Sequence, residues 1–191
     1  MTRTRYIFSK AFKASLPILM GYGTMGFAAG VVIAARSGSE HPVVVSALSA
    51  LSFSGTLQFV IGDWLRDGLS MSLIALMTLA ISFRYALYGF SLIERWRGVG
   101  LLKKLFLIGG LADENYALET SCRLGDRRDF VLYCLVLTSL DLFYWFAGCV
   151  AGAVAGESLP IPDRGIEFVM AALFLTILTD QVRDLAKGAR R

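Results

Sequence analysis

The chain has 191 residues, a net charge of +4, 55% hydrophobic residues and only 18% charged ones, with a mean hydropathy of +0.60. Soluble domains carry about 25% charged residues spread along the chain; here Lys and Arg gather in clusters between long apolar blocks, which excludes an ordinary soluble domain. Cations flanking apolar spans are topology signals and contacts for anionic lipid, so the positive charge does not point to nucleic acid.

Residues 1–14 form a basic N-terminus (Arg3, Arg5, Lys10, Lys13), read as cytoplasmic, ahead of a first apolar segment at 15–35. A basic start before an apolar run resembles a signal peptide, but the chain returns to the membrane repeatedly, so this segment reads as retained. It contains Pro17, Gly21, Gly23, Gly26 and Gly30. Pro removes an amide donor and Gly relaxes the backbone, so such a helix can unwind and offer amides and carbonyls to a zwitterion at Gly21 and Tyr22. Gly26 and Gly30 equally suit close helix packing. The second segment, 42–61, is rich in small polar residues and carries Ser54, Gly55 and Gln58. An amide in that apolar setting bonds either a neighbouring helix or a solute.

The third segment, 69–93, holds a single ionisable group, Arg84, in 25 residues. As a helix it rises about 37 Å, against a hydrocarbon core of roughly 30 Å. A guanidinium inside such a span costs about 2.5–3.5 kcal/mol, so it has a partner or a task. A mixed stretch follows, 98–129, with a short apolar piece at 101–111 and then Asp113-Glu114-Asn115-Tyr116. Those carboxylates either bind an ammonium or relay a proton, or are solvated acids at a helix start. The fourth segment, 130–155, contains Asp141, which pairs with Arg84 as a static ion pair or as a site gated by substrate or proton. Asp141, Trp145, Gly148, Gly152 and Gly156 share one helical stripe, and the glycines make a small-xxx-small packing face. A fifth segment, 166–179, is only marginally long enough to span, and a basic tail closes the chain at 181–191.

The crossings do not add up. Cytoplasmic basic clusters before the first segment and after the third require an even number of crossings between them, and three segments intervene. Either one segment is re-entrant, or 101–111 is a short broken crossing that places Arg123, Arg127 and Arg128 inside and Arg95 and Arg97 outside. Cys122, Cys134 and Cys149 show no paired spacing and read as reduced, and the lone His41 cannot anchor a metal site. No phosphate loop, metalloprotease helix or nucleophile elbow is present, which argues against an enzyme and against a cofactor.

Taken in order, the segments resemble the large subunit of the branched-chain amino acid exporters, the AzlC-like permease family. The resemblance runs through Leu16-Pro17, Gly21-Tyr22 and Gly26; Ser54-Gly55 and Gln58-Phe59; Arg84-Tyr85-Ala86-Leu87-Tyr88-Gly89; Asp113-Glu114 and Tyr116-Ala117; and Trp145, Gly152, Gly156, Gly165, Phe168 and Phe174. Ser82 stands where the family usually has Asn, and the family normally continues with further apolar segments beyond the point where this chain stops. The resemblance implies a secondary transporter subunit in the cytoplasmic (inner) membrane, exporting branched-chain or similar hydrophobic amino acids with a small AzlD-like partner subunit.

The expectation is therefore an all-α integral membrane protein, a polytopic helical bundle in one domain over 1–191. It has five to six apolar segments, one or two of them broken or re-entrant. Gly21, Tyr22, Gly55, Gln58, Arg84, Tyr88 and Trp145 are the expected substrate contacts. Asp113, Glu114 and Asp141 are the expected proton- or ion-coupling groups. The rival expectation is a non-transporting membrane scaffold whose glycine faces assemble a partner complex.

Overall fold

The computed structural model describes residues 3–37, 49, 54–55, 57–58, 64, 68–158, 175 and 179. Most of the fifth apolar segment, the basic tail and most of the second segment, including Phe59, lie outside the described residues, as do Gly165, Phe168 and Phe174. Among the described residues the regular structure is all helical: α1 (Arg3–Ser37), α2 (Met71–Leu92), α3 (Leu101–Gly109), α4 (Asp113–Ser121) and α5 (Arg127–Ser158). Three of these, α1, α2 and α5, are long and apolar enough to cross a membrane. The expected unwinding of the first segment is not seen. Helix α1 runs unbroken through Pro17 and Gly21, because a single missing amide removes one bond from a 35-residue ladder.

Helices α1 and α5 form the centre of the molecule and run parallel. Their contacts advance together: Arg3 pairs with Asp126 and Asp129, and Ser15 Oγ lies 3.1 Å from Tyr144 Oη. Further along, Gly26 meets Trp145 and Cys149, Gly30 meets Cys149 and Ala153, and Gly156 meets Val31 and Ala34. The approach is backbone to backbone. A Cβ on Gly30 would collide with the Cys149 carbonyl, and one on Gly152 with the Phe27 carbonyl. Small residues let membrane helices come this close, where dispersion and not hydrophobicity drives association. The glycine faces are thus consumed inside the chain, which removes the surface the scaffold expectation relied on.

The N-terminal ends of α1 and α5 mark one face of the molecule. Helix α2 ends at the same face: Arg97 O accepts from Arg127 Nη1 at 3.2 Å, and the Arg95 guanidinium lies 3.6 Å over the Phe130 ring. Of the two alternatives the sequence left open, the one in which 101–111 separates Arg95 and Arg97 from Arg127 is therefore set aside. All these cations share a face. Gly98, at φ +82°, turns the chain back from it.

The short helices α3 and α4 then make a hairpin that enters from this face and returns to it. Its tip, Gly110, packs so closely on Thr138 and Leu142 that a Cβ would strike Thr138 Cγ2. Thr138 lies about 16 Å along α5 from Arg127 at 1.5 Å per residue. The far end of α4 is back at the face, where Arg95 Nη1 and Nη2 donate to Glu119 O (2.7 Å) and Cys122 O (2.9 Å). This is the geometry of a re-entrant hairpin, whose irregular turn is tolerated at depth because protein covers it. The basic-face core packs Ile7, Trp96, Leu107 and Leu111 with Phe130, Cys134 and Leu137, while Leu76, Leu79, Phe83, Leu87 and Phe90 of α2 are exposed, an apolar surface suited to lipid.

Candidate functional site

Two neighbouring carboxylates at the hairpin tip face two different helices. Ala112 caps α4 with extended backbone (φ −119°, ψ 173°), and Asp113 and Glu114 fill its first turn, where the helix dipole favours anions. Successive helical residues point about 100° apart, so Asp113 turns to α2 and Glu114 to α1.

On the α2 side, Arg84 Nη1 lies 3.0 Å from Asp113 Oδ2, and Tyr88 Oη donates to Asp113 Oδ1 at 2.7 Å. Arg84 Nη2 also donates to Tyr85 Oη at 3.0 Å, with its charge 4.9 Å from the Tyr85 ring centre. Tyr88 stacks on Tyr116 at 4.3 Å between centroids, and Ser91 Oγ donates to Tyr116 Oη at 3.1 Å. Arg84 and Asp113 are each about two-fifths exposed, so the pair is open on one side. The expected Arg84–Asp141 pair is corrected: the partner of Arg84 is Asp113, brought to the level of Arg84 by the hairpin.

On the α1 side, Tyr22 Oη donates to Glu114 Oε2 at 2.8 Å and its ring meets Trp145 edge-on at 5.6 Å. Trp145 Nε1 donates to Gln58 Oε1 at 2.7 Å, and Gln58 Nε2 donates to Ser49 Oγ at 2.8 Å with Cys149 Sγ at 3.7 Å. Gly55 leaves room for the Trp145 ring, which a Cβ would approach to 3.0 Å. Of the two openings the sequence left for Gln58, its amide takes the neighbouring helix. Gly21 stands apart, with open space around it and its carbonyl taken by Thr24 Oγ1 at 3.0 Å.

Because Gln58 is fully buried, removing the indole donor strands its Oε1. Trp145→Phe should cost about 1–3 kcal/mol of stability, measured by denaturation of the purified chain in detergent; an unchanged melting profile would contradict the bond's structural weight.

Asp141 is fully buried between α4 and α5, and neither carboxylate oxygen has a hydrogen-bond partner among the described residues. Glu119 and Asn115, which sequence reasoning passed over, are buried with it. Burial pushes the Glu119 carboxyl up to about 7, against the opposing pull of the Cys134 thiol and the Arg95 charge. The available signal was spacing: Ala112, Asn115 and Glu119 fall on one face of a helix whose neighbours look solvated.

Membrane-length helices with polar side chains meeting between them define a polytopic helical membrane protein. Comparison with known proteins gives the family. The family model described as AzlC protein matches residues 17–159, and the chain belongs to the AzlC family, a family of membrane transport proteins and not of enzymes. It is 30% identical over 175 residues to the "Branched-chain amino acid transport protein AzlC" of Bacillus subtilis (strain 168), covering 91% of this chain and 67% of that protein. It is 31% identical over 179 residues to the "Inner membrane protein YgaZ" of Escherichia coli (strain K12), covering 90% of this chain and 71% of that protein. An "Uncharacterized membrane protein" of Haemophilus influenzae is 30% identical over 171 residues, covering 88% of this chain and 68% of that protein. No solved structure matches the chain.

Proposed function

We propose that the chain is the larger subunit of a secondary transporter that exports branched-chain or similar hydrophobic amino acids across the cytoplasmic membrane, working with a small AzlD-like membrane partner. The observation that supports this reading is the pair of carboxylates at the hairpin tip, one held by a cation and the other by a phenol. Opposite polar chains at one depth suit a zwitterion. Arg84 takes the substrate carboxylate in exchange for Asp113, and Tyr88 keeps Asp113 hydrogen-bonded during the exchange. Glu114 takes the ammonium when Tyr22 releases it, and Tyr22 and Trp145 offer ring faces to an apolar side chain. Asp113, Glu114 and Asp141 couple the movement to a proton. The family and the transport role named for the Bacillus subtilis relative favour this substrate class.

The test is counterflow of labelled valine in liposomes holding the full chain, with and without a small hydrophobic partner, challenged by each of the twenty amino acids. Exchange is expected with leucine, isoleucine and valine and not with acidic or basic residues. Flat exchange across the whole panel, with the partner present, would overturn the reading.

A further inference from the structure

The face between α4 and α5 buries more acid than a zwitterion site uses. Asn115 and Glu119 lie one turn apart on α4, while Cys134, Thr138 and Asp141 follow turn by turn along α5. Asn115, Glu119, Thr138 and Asp141 are all fully buried. Nearly all their unused atoms are acceptors. Asn115 Nδ2 donates to Gly110 O at 3.3 Å, which leaves Asn115 Oδ1 over. That atom, Thr138 Oγ1 and both carboxyl oxygens of Glu119 and of Asp141 have no hydrogen-bond partner among the described residues, apart from the Cys134 thiol beside Glu119. Stranded acceptors cost about 1–3 kcal/mol each, and charged ones more. The set holds a single hydroxyl proton, on Thr138, so what it lacks is hydrogen. Protonating a carboxyl converts an acceptor into a donor without adding volume.

We propose that Glu119 and Asp141 are proton carriers that link the basic face to Glu114 at the hairpin tip. The order along the hairpin supports the direction of the link. Glu119 sits one turn before Cys122, whose carbonyl Arg95 holds at the face, and Glu114 sits at the tip against Tyr22. Asp141 is within electrostatic reach of both carboxyls. The groups facing Glu119 are Tyr133, Cys134 and Asp141 from α5 and Arg95 from the turn after α2. Those facing Asp141 are Glu114 and Glu119 from α4 and Tyr22 from α1, with Tyr133 on its own helix. Each step moves one proton, from the Glu119 acid to the Asp141 carboxylate and from Asp141 to the Glu114 carboxylate. A water or a local movement bridges the gaps, since, the Cys134 thiol apart, no carboxyl oxygen of Glu119 or Asp141 meets a hydrogen-bond partner among the described residues. Glu119 is then recharged by a proton from water at the face.

The inference deepens the transport reading and rests on it for the use to which the proton is put. Infrared spectra of the purified full chain, recorded across a pH titration, read protonated carboxyls directly and need no transport. Two protonated-carboxyl bands are expected near neutral pH, one lost in Glu119→Gln and the other in Asp141→Asn. Their absence from the wild-type titration would overturn the relay, whatever the variants do. In liposomes, Glu119→Gln should lower valine movement driven by a pH gradient about a hundred-fold, the lower range for a positioned proton carrier, while counterflow stays within about two-fold. Drive by a sodium gradient with no effect of pH would also overturn it. Bands without any valine movement would support the relay and sink the transport reading.

Discussion

Replacing Gly152 with leucine should keep α1 and α5 from docking and strip the chain of its folded state. The Cβ alone would press into the carbonyl of Phe27, and a Cβ at Gly30 into that of Cys149. These are backbone atoms inside helices, so no rotamer change relieves the clash; the helices must move apart. Overpacking of this kind costs about 1–3 kcal/mol and more where backbone is struck. It also opens the seam that places Trp145 beside Tyr22. Size-exclusion chromatography and melting of the detergent-solubilised protein check it, with Gly21→Ala as the control. Gly21 faces open space, so alanine there should be neutral or stabilise by up to about 1 kcal/mol through helix propensity. Opposite signs from two glycines of one helix pair are hard to produce by general fragility. A Gly152→Leu protein that melts like wild type would remove the parallel seam from the account.

Arg84→Ala should abolish valine counterflow, by about a hundred-fold or more, the equivalent of about 2.7 kcal/mol, while barely altering stability. The two effects separate because of exposure. With Arg84 and Asp113 each about two-fifths exposed, water screens the pair and its worth to folding is about 1 kcal/mol or less. Tyr88 still donates to Asp113 after the change. Arg84→Lys should rescue poorly, because one ammonium cannot reach both Asp113 and Tyr85 as the planar fork does. A double-mutant cycle with Asp113→Asn separates a fixed strut from a site: a strut shows coupling in melting temperature and none in counterflow. Full counterflow by a well-inserted Arg84→Ala protein would end its assignment as the carboxylate contact.

How much of this was legible in the sequence depended on whether a feature was local. Long apolar runs announced α1, α2 and α5, and the four-residue spacing of Gly148, Gly152 and Gly156 announced the face that α1 occupies. The Gln58 amide and Trp145 were each suspected, but their mutual bond required folding to be seen. The Arg84 partner was misread for a physical reason. Asp141 sits mid-segment in an apolar run and looks like the only deep acid, whereas Asp113 follows a nine-residue helix too short to count as a span. Only the hairpin reveals that the short helix carries Asp113 inward. Glu119 and Asn115 were hidden by the same stretch, because a helix of low mean hydropathy reads as solvated until its packing is known. The first segment failed in the other direction: proline and glycine permit unwinding but do not compel it.

The parallel arrangement of the first and last of these helices constrains how the molecule is made. A nascent chain inserts α1 long before Arg127 is synthesised, so its grooved surface must wait in lipid, or against some temporary cover, for a mate far downstream. Closing so distant a contact is slow and leaves an incomplete intermediate open to wrong pairings. Maturation of this protein is thus a late event set by synthesis of its C-terminal half, and truncation before Arg127 should leave an N-terminal helix that inserts yet never finds its seat.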